Sequence, residues 1–229
     1  RAYLAHGHEL PPELEDELAA ALCRLEERTG LRLGDAEAPL LVSVRSGAAI
    51  SMPGMMDSIL DLGLNDDTVT GLAWNTGNPR FAYDSYRRLI QMYGEVVDGI
   101  EAACFDHELE LLKSERGRSH DLELTADDLI DLIERYMHVY ESATGHAFVQ
   151  DAHEQLLCAV RSVFDSWNSP RARVYRKTYR IPDDLGTAVN VMQMVFGNKG
   201  ESCGTGVCFS RDPSTGEKGL CGEFLANAQ

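Results

Sequence analysis

The sequence predicts an α+β fold, on three observations. A short apolar run, LLVSV at 40–44, is followed at once by a bare arginine. A long polar stretch, 65–150, carries its apolar residues three and four apart, the period of helices. From Gly186 onward, β-type runs alternate with glycine-bearing turns. These changes of period divide the chain into 1–64, 65–150 and 151–229: a helix-and-strand start, a helical insert, and a segment whose helices give way to mostly antiparallel strands.

In the first segment, Leu14, Leu18, Ala21, Leu22 and Leu25 recur at helical spacing after Pro11 and Pro12 and stop at Gly30. Proline at a helix start and glycine past its end are the usual asymmetry. A loop leads to the strand 40–44, and 55–62 reads as a short helix ending near Gly63. In the second segment, Tyr83, Tyr86, Ile90, Tyr93 and Val97 share one helical face. Thr125 with Asp128 forms a capping-box-like start to a helix whose inner side is Leu129, Ile133, Tyr136 and Tyr140. The charged LLKSERGRSHDLEL between those helices reads as an exposed connection. A third helix begins near Asp151, with Leu156, Val160, Val163, Phe164 and Trp167 inward, and NSPRARVYRK restarts a short basic helix at Pro170. The strands 186–197, 204–212 and 219–229 follow, the last two joined through DPSTGEKG as a hairpin.

With 44% hydrophobic and 25% charged residues, a 229-residue chain can bury a real core. A net charge of −16 argues against broad affinity for nucleic acid or an anionic membrane surface. No apolar run is long enough to cross a bilayer. The six cysteines form no CxxC pair and no zinc spacing, so they read as free thiols of a reducing cytoplasm, with Cys23 and Cys158 packed into helices. None of the seven histidines sits in a nucleophile or metal pattern. A chain that starts at Arg1 without an initiator Met or signal-like core reads as a piece of a longer polypeptide.

Arg45 has two readings that its own segment leaves even. At the end of a buried strand, before Ser-Gly-Ala-Ala, it can aim its fork of donors at a phosphate, or it can pair with an acid on the strand rim. SMPGMMDS is either a lid hinged at Gly54, with Met55 and Met56 lying against a flat ligand, or a turn whose methionines fill a gap in the core. Gln193 interrupts the face of Val189, Val191 and Val195, where a buried amide needs a partner, either a ligand edge or a neighbouring strand. Met194, Val195 and Phe196 could frame an apolar slot for an adenine. GNKGESCGTGV, with Thr205 and Gly206, is only loosely a phosphate turn and fits hairpin geometry more economically. Glu223 and Gln229 are either a magnesium carboxylate and a polar contact or exposed strand residues.

Read together, LLVSVRSGAAISMPGMMDSILDLGLND, GNPRFAYDSYRRLIQMYG, LTADDL, SPRARVYRK, GTAVNVMQMVFGNKG, GTGVCFSRDPSTGEKG and GEFLANAQ resemble pyruvate, phosphate dikinases, in the same order and over nearly the whole chain. The resemblance implies part of an ATP-grasp nucleotide-binding domain, with ATP and Mg²⁺ as cofactors. It implies as partner a swivelling phosphohistidine domain of the same polypeptide, in a homodimeric parent. It makes Arg45 the phosphate-clamping arginine, and Gly54, Met55 and Met56 a loop over the nucleotide. Gln193, Met194, Val195 and Phe196 then form the adenine-contacting strand, and Thr205 and Gly206 a second loop near the phosphates. Glu223 and Gln229 fall close to the site. The family's glycine-rich lysine loop, its Asp-x-Glu pair and its Thr-Ser-His run are not in this sequence, so the chain by itself is expected neither to bind ATP tightly nor to turn it over.

Overall fold

The computed structural model describes residues 2–228 and has an α+β architecture in which all named strand pairs are antiparallel. A short helix α1 (Ala2–Ala5) precedes α2 (Pro12–Thr29). Gly30 ends α2 in the left-handed region, at φ 69°, and donates its N–H to Glu26 O. β1 (Val42–Ser46) is the centre of a three-stranded sheet, between β2 (Ser58–Leu62) and β3 (Val189–Gln193). Arg45 therefore lies within the strand and not past its end.

The segment 55–62, expected as a helix, supplies β2 instead. An apolar run this short has no period of its own, and the open edge of β1 settles its conformation by offering a ladder. That ladder is irregular: Val42 faces Leu62 but Val44 faces Ile59, so the register shifts between them. Asp61 lies in the irregular stretch with φ 60°, a left-handed conformation that aspartate tolerates better than most residues.

The middle segment is helical: α3 (Thr68–Thr76), α4 (Pro79–Val96), α5 (Ala102–Arg116) and α6 (Ala126–Thr144). α4 packs against α3, α6 and β2, which ties the helical layer to the sheet. Of the tyrosines expected on one face of α4, Tyr86 and Tyr93 are core and Tyr83 is half-buried against it. Tyr86, Tyr93 and Tyr140 meet Phe148 edge-on, with ring centroids 6.3, 5.4 and 5.3 Å away. At the start of α6, Thr125 Oγ1 accepts from Asp128 N–H while Asp128 Oδ2 accepts from Thr125 N–H, a full capping box. LLKSERGRSHDLEL is not a loop throughout, because α5 continues to Arg116. Burial of Leu112 and the pairing of buried Lys113 with Glu110 and Asp121 hold the helix despite its charge.

α7 (Ala152–Ser166) runs across β1, β2 and β3. Its buried Gln155 accepts from Gly63 N–H and donates to the Leu64 and Val149 carbonyls, sewing the helix to the end of β2. Phe164 is only half-buried, stacked 5.2 Å from Tyr3. Cys23, expected to be packed, is exposed on the outer side of α2; Cys158 is half-buried, and all six cysteines are free thiols. α8 (Pro170–Tyr179) follows, capped by Ser169 Oγ accepting from Ala172 N–H.

The C-terminal strands do not form one sheet. β3 joins β1, whereas β4 (Gly204–Arg211) and β5 (Lys218–Ala226) make a separate two-stranded ribbon, exposed along both faces. Among the described residues, no helix is long and apolar enough to cross a membrane.

Candidate functional site

The site is built around β1. Directly opposed residues of antiparallel strands point to one side. Val44 faces Ile59 on β2 and Val191 on β3, and this side carries the buried apolar residues. Arg45 faces Ser58 and Asn190, which places these three on the other side. Arg45 is exposed, and among the described residues no carboxylate lies within ion-pair reach of it, in a chain with 37 acids. The rim salt bridge that composed half of its sequence reading is thus not formed.

The small residue after Arg45 has a structural reason as well as a permissive one. A Cβ on Gly47 would stand 2.7 Å from Asn190 Nδ2, so the Asn190 amide lies against the Gly47 backbone. Gly47 N–H also donates to Ala188 O at 2.7 Å, extending the β1–β3 ladder.

Beyond Gly47 the loop folds onto the corner between α7 and α8. Met52 is buried with Trp167 and Ile181, and Ala48, Met55 and Met56 pack against this small cluster, which is separate from the main core. Arg171 donates to Met55 O at 3.3 Å and pairs with Asp57, while Ser166 Oγ accepts Asp57 N–H at 3.3 Å. Gly54, at φ 71°, makes the exposed tip of the loop. The methionines therefore fill a gap, as the bland reading of this stretch has it, and the same packing holds the tip beside β1.

The other candidates lie along a line leading away from Arg45. Gln193 is opposite Val42, three residues along β3 from Asn190, or about 10 Å of strand. It stands on the opposite side of the sheet from Arg45 and is exposed, so the premise of a buried amide does not hold. Met194 is half-buried, its N–H donating to Leu41 O at 2.8 Å, and Val195 is 88% exposed. Phe196 is buried, edge-on to Phe81 with centroids 5.0 Å apart, and Lys199 Nζ lies 5.6 Å from its ring centroid.

Gly197 connects this run to the ribbon. A Cβ there would be 2.2 Å from Ala228 O and 2.8 Å from Gly204 O, so only glycine admits the contact. Thr205, opposite Leu225, and Gly206, opposite Phe224, lie exposed near the ribbon's base. Glu223 is opposite Val207, with no second acid across the strand. Gln229 lies outside the described residues.

Mg²⁺ is held through one or two carboxylates together with the phosphates of its nucleotide. Among the described residues, no three His, Cys, Asp or Glu side chains converge as a metal site, and Glu223 stands alone on its strand. These residues do not fit a magnesium site by themselves.

Two features near the site escaped the sequence reading. Asn190 flanks Arg45 through strand register, which no local pattern encodes. Asp61, three residues after Ser58, is 2% exposed, and its Oδ1 has no hydrogen-bond partner. Burial pushes its carboxyl up to about 7, against the pull of the Arg88 guanidinium and with a further push from Asp84.

A family model described as pyruvate phosphate dikinase, AMP/ATP-binding domain, matches residues 4–223. The chain is 56% identical over 228 residues to the pyruvate, phosphate dikinase of Clostridium symbiosum, covering 99% of this chain and 26% of that protein. It is 56% identical over 227 residues to the chloroplastic pyruvate, phosphate dikinase of Flaveria trinervia, covering 99% and 24%. It is 56% identical over 221 residues to that of Giardia intestinalis, covering 96% and 25%. The chain spans about a quarter of the length of the curated relatives it matches.

Proposed function

Since the chain belongs to the pyruvate phosphate dikinase AMP/ATP-binding domain family, we propose that it serves as the nucleotide-binding part of such a dikinase. The reaction in this reading converts ATP, phosphate and pyruvate to AMP, pyrophosphate and phosphoenolpyruvate. A histidine on a separate swivelling domain of the same polypeptide accepts the phosphoryl group here and carries it to pyruvate. The family's fold type in this reading is ATP-grasp, and the working enzyme is a homodimer.

The observation that carries the site assignment is the unpaired state of Arg45 in an acidic chain. A guanidinium left without a carboxylate, at the end of a buried strand and beside a loop pinned at its far side, can meet a phosphate in bidentate fashion. It would neutralise charge on the phosphoryl group as it moves. The exposed Gly54 tip, with Met55 and Met56 beneath it, would cover the nucleotide. Gln193, Met194, Val195 and Phe196 would line the adenine side, with Thr205, Gly206 and Glu223 nearer the phosphates. Mg²⁺ enters this reading only together with ATP, since the described residues do not form a site for it alone. The chain alone is therefore expected to bind ATP weakly and to turn nothing over. A reducing compartment, the cytoplasm in our reading, suits six free thiols, although the plant relatives are named as chloroplastic.

The test compares the full-length enzyme with its Arg45→Ala form in ATP binding and in the ATP half-reaction. Loss of a phosphate-clamping arginine should slow that half-reaction by ~10³-fold or more. Equal binding and equal half-reaction rates would sink the assignment of Arg45. A non-catalytic module with a tyrosine-faced interface is disfavoured, because Tyr86, Tyr93, Tyr136 and Tyr140 are buried in the chain's own core.

A further inference from the structure

Residues 171–180 hold five of the 21 basic residues of a chain whose net charge is −16: Arg171, Arg173, Arg176, Lys177 and Arg180. Two have partners. Arg171 pairs with Asp57, and Arg176 Nε donates to Asp183 Oδ1 at 2.7 Å. Arg173, Lys177 and Arg180 have no carboxylate within ion-pair reach among the described residues. Arg173 with Lys177 and Arg176 with Arg180 are four apart on the α8 path, Lys177 with Arg180 three apart, spacings at which like charges repel. The negative end of the helix dipole offsets part of that repulsion but falls off within a turn.

These side chains surround a concavity of about 710 Å³ lined by Arg173, Arg176, Lys177, Arg180, Ile181 and Asn168, whose one acid, Asp183, is engaged with Arg176. Arg176 makes a rigid wall of it. It is 2% exposed, its guanidinium carbon lies 4.2 Å from the Trp167 ring centroid, and it donates to Trp167 O. Arg180 is held in the left-handed region at φ 54°, an arrangement that disfavours a side chain with a Cβ.

We propose that this concavity is a binding site for a phosphate dianion, free or as the terminal group of a small phosphate ester. Guanidinium forks and an ammonium around an open cavity suit a tetrahedral oxyanion, and a dianion removes the repulsion among the cations. The site does not involve Arg45 and does not depend on the nucleotide reading. Ile181 belongs both to the cavity wall and to the cluster that holds Met52, so occupancy would bear on the loop beside β1.

The chain has two tryptophans, and Trp74 is 86% exposed in α3, so Trp74→Phe leaves Trp167 beneath Arg176 as the reporter. Inorganic phosphate and glycerol phosphate are titrated at constant ionic strength against chloride, and Trp167 emission is followed. The expected result is a saturable change with one or both phosphates and none with chloride. It should persist when Arg45→Ala is added and weaken at least tenfold in apparent affinity when Arg173→Glu and Lys177→Glu are added. Phosphate alone would indicate free phosphate, and the ester alone a phosphorylated metabolite. No saturable response, an equal response to chloride, or a response that survives the double charge reversal would overturn the proposal. Each variant's far-UV circular dichroism keeps a folding defect from being mistaken for lost binding.

Discussion

Replacing Asp61 by asparagine should make the protein more stable at neutral pH, by an amount that depends on pH in a defined way. Asparagine matches aspartate in shape and also accepts the left-handed conformation at φ 60°. What it removes is a charge that the fold shelters without a hydrogen bond to Oδ1. Burial raises the Asp61 carboxyl from 3.8 to about 7, so the folded state holds its proton more tightly than the unfolded chain does. The contribution is fully present below pH ~4 and is lost as pH rises through about 7. At ~1.4 kcal/mol per pH unit over that interval, the wild type forgoes ~4 kcal/mol by pH 8, of which ~1.6 kcal/mol is already lost at pH 5. Asparagine carries no such dependence, and titrating groups that do not interact with Asp61 cancel between the two proteins. Urea unfolding of both proteins at pH 5 and pH 8 should show the advantage of Asp61→Asn growing by ~2–3 kcal/mol. A gap that stays constant between those two pH values would refute the reasoning, because it would mean that Asp61 ionises as readily in the fold as outside it.

Gly71→Ala should destabilise the protein by about 1–3 kcal/mol in urea unfolding, although alanine favours helices. The new Cβ would fall 1.9 Å from the Ala36 carbonyl oxygen, which is backbone and cannot swing aside. Thr125→Ala removes the acceptor that holds Asp128 N–H at 3.2 Å and should cost about 1 kcal/mol in the same measurement. Arg171→Ala cuts the link from α8 to Met55 O and Asp57. Because that ion pair is largely exposed, the midpoint of unfolding should hardly move, while hydrogen exchange of the 52–57 loop should speed up several-fold. Unchanged exchange there would show that the Met52–Trp167–Ile181 cluster and the Asp57 N–H bond to Ser166 Oγ hold the loop without Arg171.

Where periodicity is strong and the run long, local sequence was enough. The Tyr83 to Val97 face, the Thr125–Asp128 cap and the Pro-to-Gly span of α2 each carry their signal within a few turns, and the structure has each where the pattern puts it. The family resemblance, spread over nearly the whole chain, made the fold class legible as well. The misread stretches are short or electrostatic. Residues 55–62 became β2 because β1 offered them an edge, and 111–116 stayed helical because Asp121 returned to pair with Lys113. Gln193 looked buried on a strand pattern, but β3 is the edge of its sheet and that residue is exposed.

The sequence by itself determined that there is a bare arginine after a buried apolar run, which glycines and methionines follow it, and that α8 is crowded with cations. It could not say whether any of those charges had a partner. Pairing depends on which distant segments come within a few ångströms, and that follows from strand register and helix packing and not from local pattern. Only the tertiary structure left Arg45 without an acid, set Asn190 beside it, and placed Arg176 over Trp167. It also put Gln193 on the opposite side of the sheet from Arg45, because Gln193 pairs with Val42, an odd number of positions along β1 from Arg45, and side chains alternate along a strand.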